Sequence, residues 1–204
     1  MQGFILHTQR VRDEDLIIYL LSTKALVKAY RFYGLRHSSI LSGYKIDFEL
    51  EISPTFLPRL KDTLHLGFSW LLNRDKMLLW QEFIRLFYKH LKDIEHCESF
   101  YFSLLDECSK RFEKQNPKRV IIDAFTRLLE FEGRLHKDFR CFACDTRLEN
   151  KAILIRSFLC ACPSCAGGAS FDKKALQKLF DEKNCAHFDD EDIELLFDIV
   201  KQGF

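Results

Sequence analysis

Residues 44–52 alternate without a break, with Tyr44, Ile46, Phe48, Leu50 and Ile52 on one side and Lys45, Asp47, Glu49 and Glu51 on the other. A period of two is that of a strand with one face buried. Earlier runs at 3–9, 16–22 and 25–33 are rich in Ile, Leu, Val, Tyr and Phe, and polar breaks at 13–15 and 22–24 separate them. Another alternating run, 60–68, follows Pro54 and Pro58. Five short strands in about seventy residues predict a small barrel or sandwich. A five-stranded oligonucleotide-binding (OB) barrel over residues 1–72 fits that count, as do other small all-β folds.

From about residue 75 the period becomes helical. Trp80, Phe83, Ile84, Phe87 and Leu91 form one stripe, and Tyr101, Leu104, Leu105, Cys108 and Phe112 a second. Asn116-Pro117 reads as a helix start, with Asn capping and Pro in the first position, where its missing N–H costs nothing. Ile121, Ala124, Phe125 and Leu128 then face a core, and Gly133 closes the helix. These helices predict a helical domain over 73–135. Two short helices follow within 171–204 and are expected to pack on it. Leu176, Leu179 and Phe180 carry the first; Ile193, Leu196, Phe197 and Val200 carry the second, behind four acids at 189–192.

The segment 136–170 obeys neither period. It contains Cys141-Phe142-Ala143-Cys144, seventeen residues, then Cys162-Pro163-Ser164-Cys165, the spacing of a four-cysteine zinc ribbon. Two residues between cysteines let one tight turn aim both sulfurs at one ion, and two such turns complete a tetrahedron. Four thiolates leave no position for water, so the expected Zn2+ is structural rather than catalytic. Cys160 competes with Cys162 for the fourth place, but only Cys162 has the two-residue spacing. Cys108 falls on the apolar stripe of its helix and reads as a small core residue.

Composition narrows the function. Of 204 residues, 47% are hydrophobic and 30% charged, as in an ordinary folded protein. No apolar run approaches the length of a membrane span, and no secretion signal is recognisable, so the cytoplasm is the expected location and reduced thiols the expected state. The formal charge of +1 excludes a generically basic coat. Its distribution is uneven. Residues 1–36 carry six Arg/Lys against three acids, residues 134–156 likewise, and residues 172–198 nine acids against four lysines. A basic face for phosphate and an acidic end are consistent with that polarity. No phosphate loop, nucleophile elbow or His-Glu-x-x-His motif is present, and His7, His37, His65, His90, His96, His136 and His187 are scattered. The chain is expected to be no enzyme.

Tyr30-Arg31-Phe32-Tyr33-Gly34-Leu35-Arg36 mixes cations with flat rings, the combination that single-stranded nucleic acid requires. Lys28 and Arg31 have opposite parity along one strand, so they share a groove only if a bulge intervenes. Two readings stay open here: a binding surface, or Phe32 and some tyrosines in the barrel core with ordinary surface cations around them.

Strands, helices, a four-cysteine ribbon and terminal helices in that order resemble the RecO family of bacterial recombination mediators. The opening Gln2-Gly3-Phe4-Ile5-Leu6-His7, with Asp13-Glu14-Asp15-Leu16-Ile17 and Ser22-Thr23, is similar to the family's start. Gly34-Leu35-Arg36 resembles its Gly-x-Arg element, and Glu130-Phe131-Glu132-Gly133-Arg134-Leu135 its passage from helix to ribbon. The stretch His37-Ser38-Ser39-Ile40 is poorer in Arg and Lys than the family's. The resemblance implies an α+β protein, an OB barrel followed by a helical domain with an inserted zinc ribbon. It implies binding of single- and double-stranded DNA, strand annealing, and work with RecR, with the C-terminal tail of the single-stranded DNA-binding protein and, indirectly, with RecA. On that reading Arg10, Arg12, Lys24, Lys28, Arg31, Arg36 and Lys45 hold phosphates and Tyr33 stacks on bases. The alternative is a zinc-ribbon adaptor between proteins that binds little or no DNA.

Overall fold

The computed structural model describes residues 1–94 and 97–204; His96, one of the scattered histidines, lies outside the described residues. The chain forms two units, Met1–Glu113 and Lys114–Phe204. The division falls inside the stretch expected as one helical domain: two of its helices group with the barrel and the third with the ribbon.

In the first unit, β1 (Gln2–Arg12), β2 (Asp15–Ser22), β3 (Leu26–Arg31), β4 (Lys45–Glu51) and β5 (Arg59–His65) close a barrel in the order β1-β2-β3-β5-β4. Neighbours pair antiparallel except β3 and β5, which meet in parallel through Tyr30 and Arg59. The five-stranded OB barrel expected from the alternation is present. Inward positions of alternate parity fill it: Ile5, Leu16, Ile18, Leu20, Ala29, Ile46, Phe48 and Leu60, capped by Ile40. The pattern at 44–52 holds through β4 and then ends. Ile52 is exposed because the chain leaves the sheet after Glu51 to enter the loop to β5.

β1 is buried on both faces near its start, which explains its unbroken Phe4-Ile5-Leu6. Ile5 points into the barrel, while Phe4 packs outward on Trp80 of α1 (Arg74–Leu91) and Phe102 of α2 (Ser99–Arg111), with ring centroids 6.1 and 5.5 Å apart. Trp80 is fully buried and its indole N–H donates to the Gly43 carbonyl at 2.7 Å. Gly43 has φ +93°, and a Cβ there would lie 2.9 Å from the Trp80 ring, so both backbone conformation and space require glycine.

In the second unit, α3 (Pro117–Phe131) starts as its sequence predicts. The Asn116 side chain accepts from the Lys118 amide at 2.9 Å, and Gly133 follows the helix at φ +67°. β6 (Lys151–Ile155), β7 (Leu159–Ala161) and β8 (Ser170–Asp172) form a sheet in the order β7-β6-β8. α4 (Lys173–Glu182) and α5 (Asp190–Lys201) complete the unit. Within that sheet, β6 and β7 form a hairpin. Ser157 and Phe158 take left-handed backbone angles at its turn, and Phe158 drops into the core 4.9 Å from Phe125 of α3. Arg119 of α3 donates to the carbonyls of Cys185 and Phe188, both at 2.9 Å, and to Asp190, fixing the link between α4 and α5.

Candidate metal centre and nucleic-acid interface

Two turns build the cysteine cluster. In the first, the Asp145 amide donates to the Cys141 carbonyl and the Cys141 amide to the Thr146 carbonyl, both at 2.9 Å; Asp145 has φ 59°, which curls the turn. In the second, the amides of Cys165 and Ala166 donate to the Cys162 carbonyl at 3.0 and 3.1 Å. The Phe142 amide donates to the Cys160 carbonyl of β7, tying the first turn to the sheet. The sulfurs of Cys141, Cys144, Cys162 and Cys165 then lie within 4.8 Å of one another, and those of Cys144 and Cys162 are 3.8 Å apart. Zn–S bonds of about 2.3 Å at tetrahedral angles place sulfurs about 3.8 Å apart, so the donor set fits a zinc ribbon.

Proton affinities in the cluster diverge. Hydrogen bonding from the Cys162 amide, assisted by those of Ala143 and Cys144 against the effect of burial, lowers Cys141 to about 6. The Thr146 hydroxyl, 3.2 Å away, lowers Cys144, whereas the sulfurs of Cys162, Cys144 and Cys141 push Cys165 up to about 12. Four thiolates this close repel one another, and a divalent cation is the species that lets all four ionise together. Cys160 is not in the cluster. It is 3% exposed on β7, paired with Leu154, and burial pushes its thiol up to about 12, that of an inert core cysteine. The choice between Cys160 and Cys162 therefore falls to Cys162. Cys108 is buried within α2.

The barrel distributes its expected DNA contacts less tidily. Arg10 and Arg12 are exposed at the end of β1 and, among the described residues, form no ion pair within 4.0 Å. Lys24 is exposed in the turn between β2 and β3, at the other end of β2, about 20–25 Å from Asp15 by strand rise. Lys28 lies between these ends, its ammonium 5.5 Å from the Tyr19 ring. Arg31 turns inward: it donates to the Leu60 carbonyl at 2.7 Å and contacts His37 at 3.2 Å. β3 pairs with β2 without a bulge, so Lys28 and Arg31 stay on opposite faces. Arg36 is ion-paired with Glu14 and covers the exposed Tyr33 ring at 5.1 Å. Lys45 is 13% exposed and bound to Asp106 of α2 at 2.7 Å, above the rings of Phe4 and Phe102.

A groove of about 480 Å³ opens at the Arg12 end, lined by Val11, Arg12, Tyr30, Phe32, Phe56, Leu57 and Arg59. Sequence reading does not single out Phe56 or Arg59. Their signal is an apolar segment, Phe56-Leu57, held between Pro54 and Pro58 where a polar loop is normal. Phe32 is 46% exposed and is therefore not a core residue, and Phe56 is 79% exposed. The loop is held in shape because Ser53 Oγ accepts from the amides of Thr55 and Phe56 at 3.4 and 3.2 Å. The Tyr30 amide donates to the Pro58 carbonyl at 2.8 Å. Arg59 stacks 5.0 Å from the Phe32 centroid, and Tyr30 meets Phe32 edge-on at 4.9 Å. The Tyr30 hydroxyl donates to Asp15 at 2.6 Å, a bond that holds the Asp15 carboxyl below its usual range. The groove is bounded by the end of β1, by β3 and by the β4–β5 loop, a region that OB barrels use for oligonucleotides.

Residues 1–71 match the family model described as RecO N terminal. The barrel is thus similar to the N-terminal domain of RecO proteins. No curated protein matches the chain. The RecO match covers the whole barrel and ends before α1. Among the described residues, no helix is long and apolar enough to cross a membrane.

Proposed function

We propose that the protein is a non-catalytic mediator of recombinational DNA repair that binds single- and double-stranded DNA through its barrel and anneals complementary strands. The observation that carries this reading is the coincidence of a RecO-type OB barrel with a groove of rings and arginines at its oligonucleotide end. Annealing breaks no bond. It requires two like-charged strands to be screened from one another and held together, and exposed Arg10, Arg12 and Arg59 supply the screening charge there. RecR, the tail of the single-stranded DNA-binding protein, and RecA loaded onto single strands are the partners this role entails in the cytoplasm.

Cys141, Cys144, Cys162 and Cys165 hold Zn2+ in this reading. The ion supplies structural cross-linking: it fixes two turns to the β6-β7-β8 sheet and offers no open coordination position. A strand-annealing assay with and without the single-stranded DNA-binding protein tests the function. Accelerated annealing supports it, and no acceleration together with no oligonucleotide binding at low salt ends it.

A second reading has its own support. Arg31, Arg36 and Lys45 are engaged within the barrel unit, which leaves fewer cations for phosphate than the sequence offers. A protein–protein adaptor with a zinc ribbon is consistent with that. It is favoured if RecR binds while DNA does not.

A further inference from the structure

We infer that the Phe32–Phe56–Arg59 groove is a slot for unstacked bases, so that the barrel discriminates single strands from duplex by stacking rather than by charge. This rests on the proposed DNA-binding function and deepens it. Three observations converge on the slot.

Phe56 is held 79% exposed and Phe32 46% exposed on a loop and strand end that are anchored by hydrogen bonds. Such rings in water need a reason, and a preformed ring face costs a ligand little ordering. Secondly, the seven lining residues include two arginines and no carboxylate, so the ligand that fits is anionic as well as flat. Arg59 keeps a long, exposed ion pair with Glu51 at 3.9 Å, but that carboxylate is held more closely by Lys61 at 3.1 Å, so a phosphate can compete for the Arg59 guanidinium. Thirdly, Tyr30 turns its hydroxyl away to Asp15 and offers the groove its ring. The Tyr30 hydroxyl is thereby satisfied internally, and what the groove offers a ligand is aromatic surface beside two arginines.

Every base has a π-face, so such a slot takes any sequence, and stacking on one ring changes affinity by about 1–3 kcal/mol. In a duplex those faces are already stacked, and presenting one costs a few kcal/mol. The rings therefore act on single strands, whereas Arg10, Arg12 and Arg59 act on both forms through phosphate.

Fluorescence anisotropy on the full chain, at one fixed low salt concentration, separates these effects with three labelled ligands: a twelve-residue oligothymidylate, an abasic strand of equal length and charge, and a twelve-base-pair duplex. The wild type is expected to bind oligothymidylate about tenfold or more tighter than the abasic strand, the change one good stacking contact provides. The double variant Phe32→Ala/Phe56→Ala should lose that preference while its affinity for the abasic strand and duplex stays within about twofold. Phe56→Trp supplies a direct readout: its fluorescence should be quenched by oligothymidylate and not by the abasic strand. Equal binding of oligothymidylate and abasic strand by the wild type overturns the slot but leaves DNA binding intact, as does an equal loss for all three ligands in the double variant. If the wild type binds none of the three, slot and DNA-binding function fall together.

Discussion

The cysteine cluster and the barrel surface are both built from residues that the sequence marks out, but only the cluster brings its own marked residues together. Its chemistry is local. Two short turns fix the direction of each sulfur pair, and a hairpin returns the chain so that one pair meets the other, with sulfurs 3.8 Å apart. The barrel surface depends on which face each strand position takes and on what else each charge can reach. Lys24 and Arg12 lie at opposite ends of β2, and Lys45 is consumed by Asp106. Spacing alone specifies a chelate; a binding surface is specified only once the strands are registered.

The largest expected effect belongs to the cluster. Structural zinc in isolated fingers contributes about 10–16 kcal/mol of apparent binding energy. In this unit the buried aromatic core of Phe125, Phe158 and Phe180 shares the load, so loss should be local. Cys162→Ser should reduce bound zinc from one ion per chain to near none by elemental analysis, and raise amide exchange across 141–166. Cys160→Ser should keep the ion. Retention of zinc by Cys162→Ser with loss in Cys160→Ser would reverse the ligand assignment. Because thiolates bind the metal, zinc affinity should also fall as pH drops below 7.

The next effect sits in the barrel unit, at the residue joining barrel to helix. Trp80→Ala removes a fully buried indole, its bond to Gly43 and its contacts with Phe4, Trp70 and Phe112. A cost of about 3–5 kcal/mol is expected in denaturant titration. Trp80 also shows how far the sequence could be read. The helical stripe places it on a buried face, and the strand alternation places Ile46 and Phe48 inside a barrel, because both follow from local periodicity. That α1 and α2 belong with the barrel while α3 belongs with the ribbon does not follow from any period. It is decided by which apolar faces match, as Phe4 shows by facing out of the barrel toward Trp80 and Phe102. The hairpin at 156–158 escaped for a related reason: Ser157 and Phe158 adopt left-handed angles without a glycine to announce them. Four cysteines in two pairs needed no such information.

Lys45→Met separates a structural cation from a binding one. Asp106 keeps Lys110 at 2.6 Å but loses its more buried partner, which should cost about 1–3 kcal/mol of stability while leaving DNA affinity unchanged. Burial alone would raise the Asp106 pKa, but hydrogen bonds from Lys110 and Lys45 outweigh it and hold the carboxyl below 3.8. A carboxyl with a lowered folded-state pKa contributes stability above its unfolded value and loses it as pH falls through the folded one. The gap between wild type and Lys45→Met should therefore be full near pH 7 and close as pH drops below about 4. A variant that is stable at pH 7 yet weak on DNA would return Lys45 to the binding surface.

The smallest effect makes the comparison sharpest, since it sets two arginines of the same barrel against each other. Arg12 lines the groove and has no ion pair among the described residues; Arg36 is paired with Glu14 and lies over Tyr33. A cation that neutralises one phosphate of a single strand adds about 0.7 to the slope of log affinity against log salt. Arg12→Ala should reduce the slope by about that amount. Arg36→Ala breaks an exposed pair worth about 0–1 kcal/mol and should leave the slope unchanged. Equal reductions in both variants would mean that Glu14 yields Arg36 to DNA, placing the Gly34-Leu35-Arg36 element back among the phosphate contacts. A reduction in Arg12→Ala alone ties the contact to the groove, where register rather than motif has gathered the rings and the free charge.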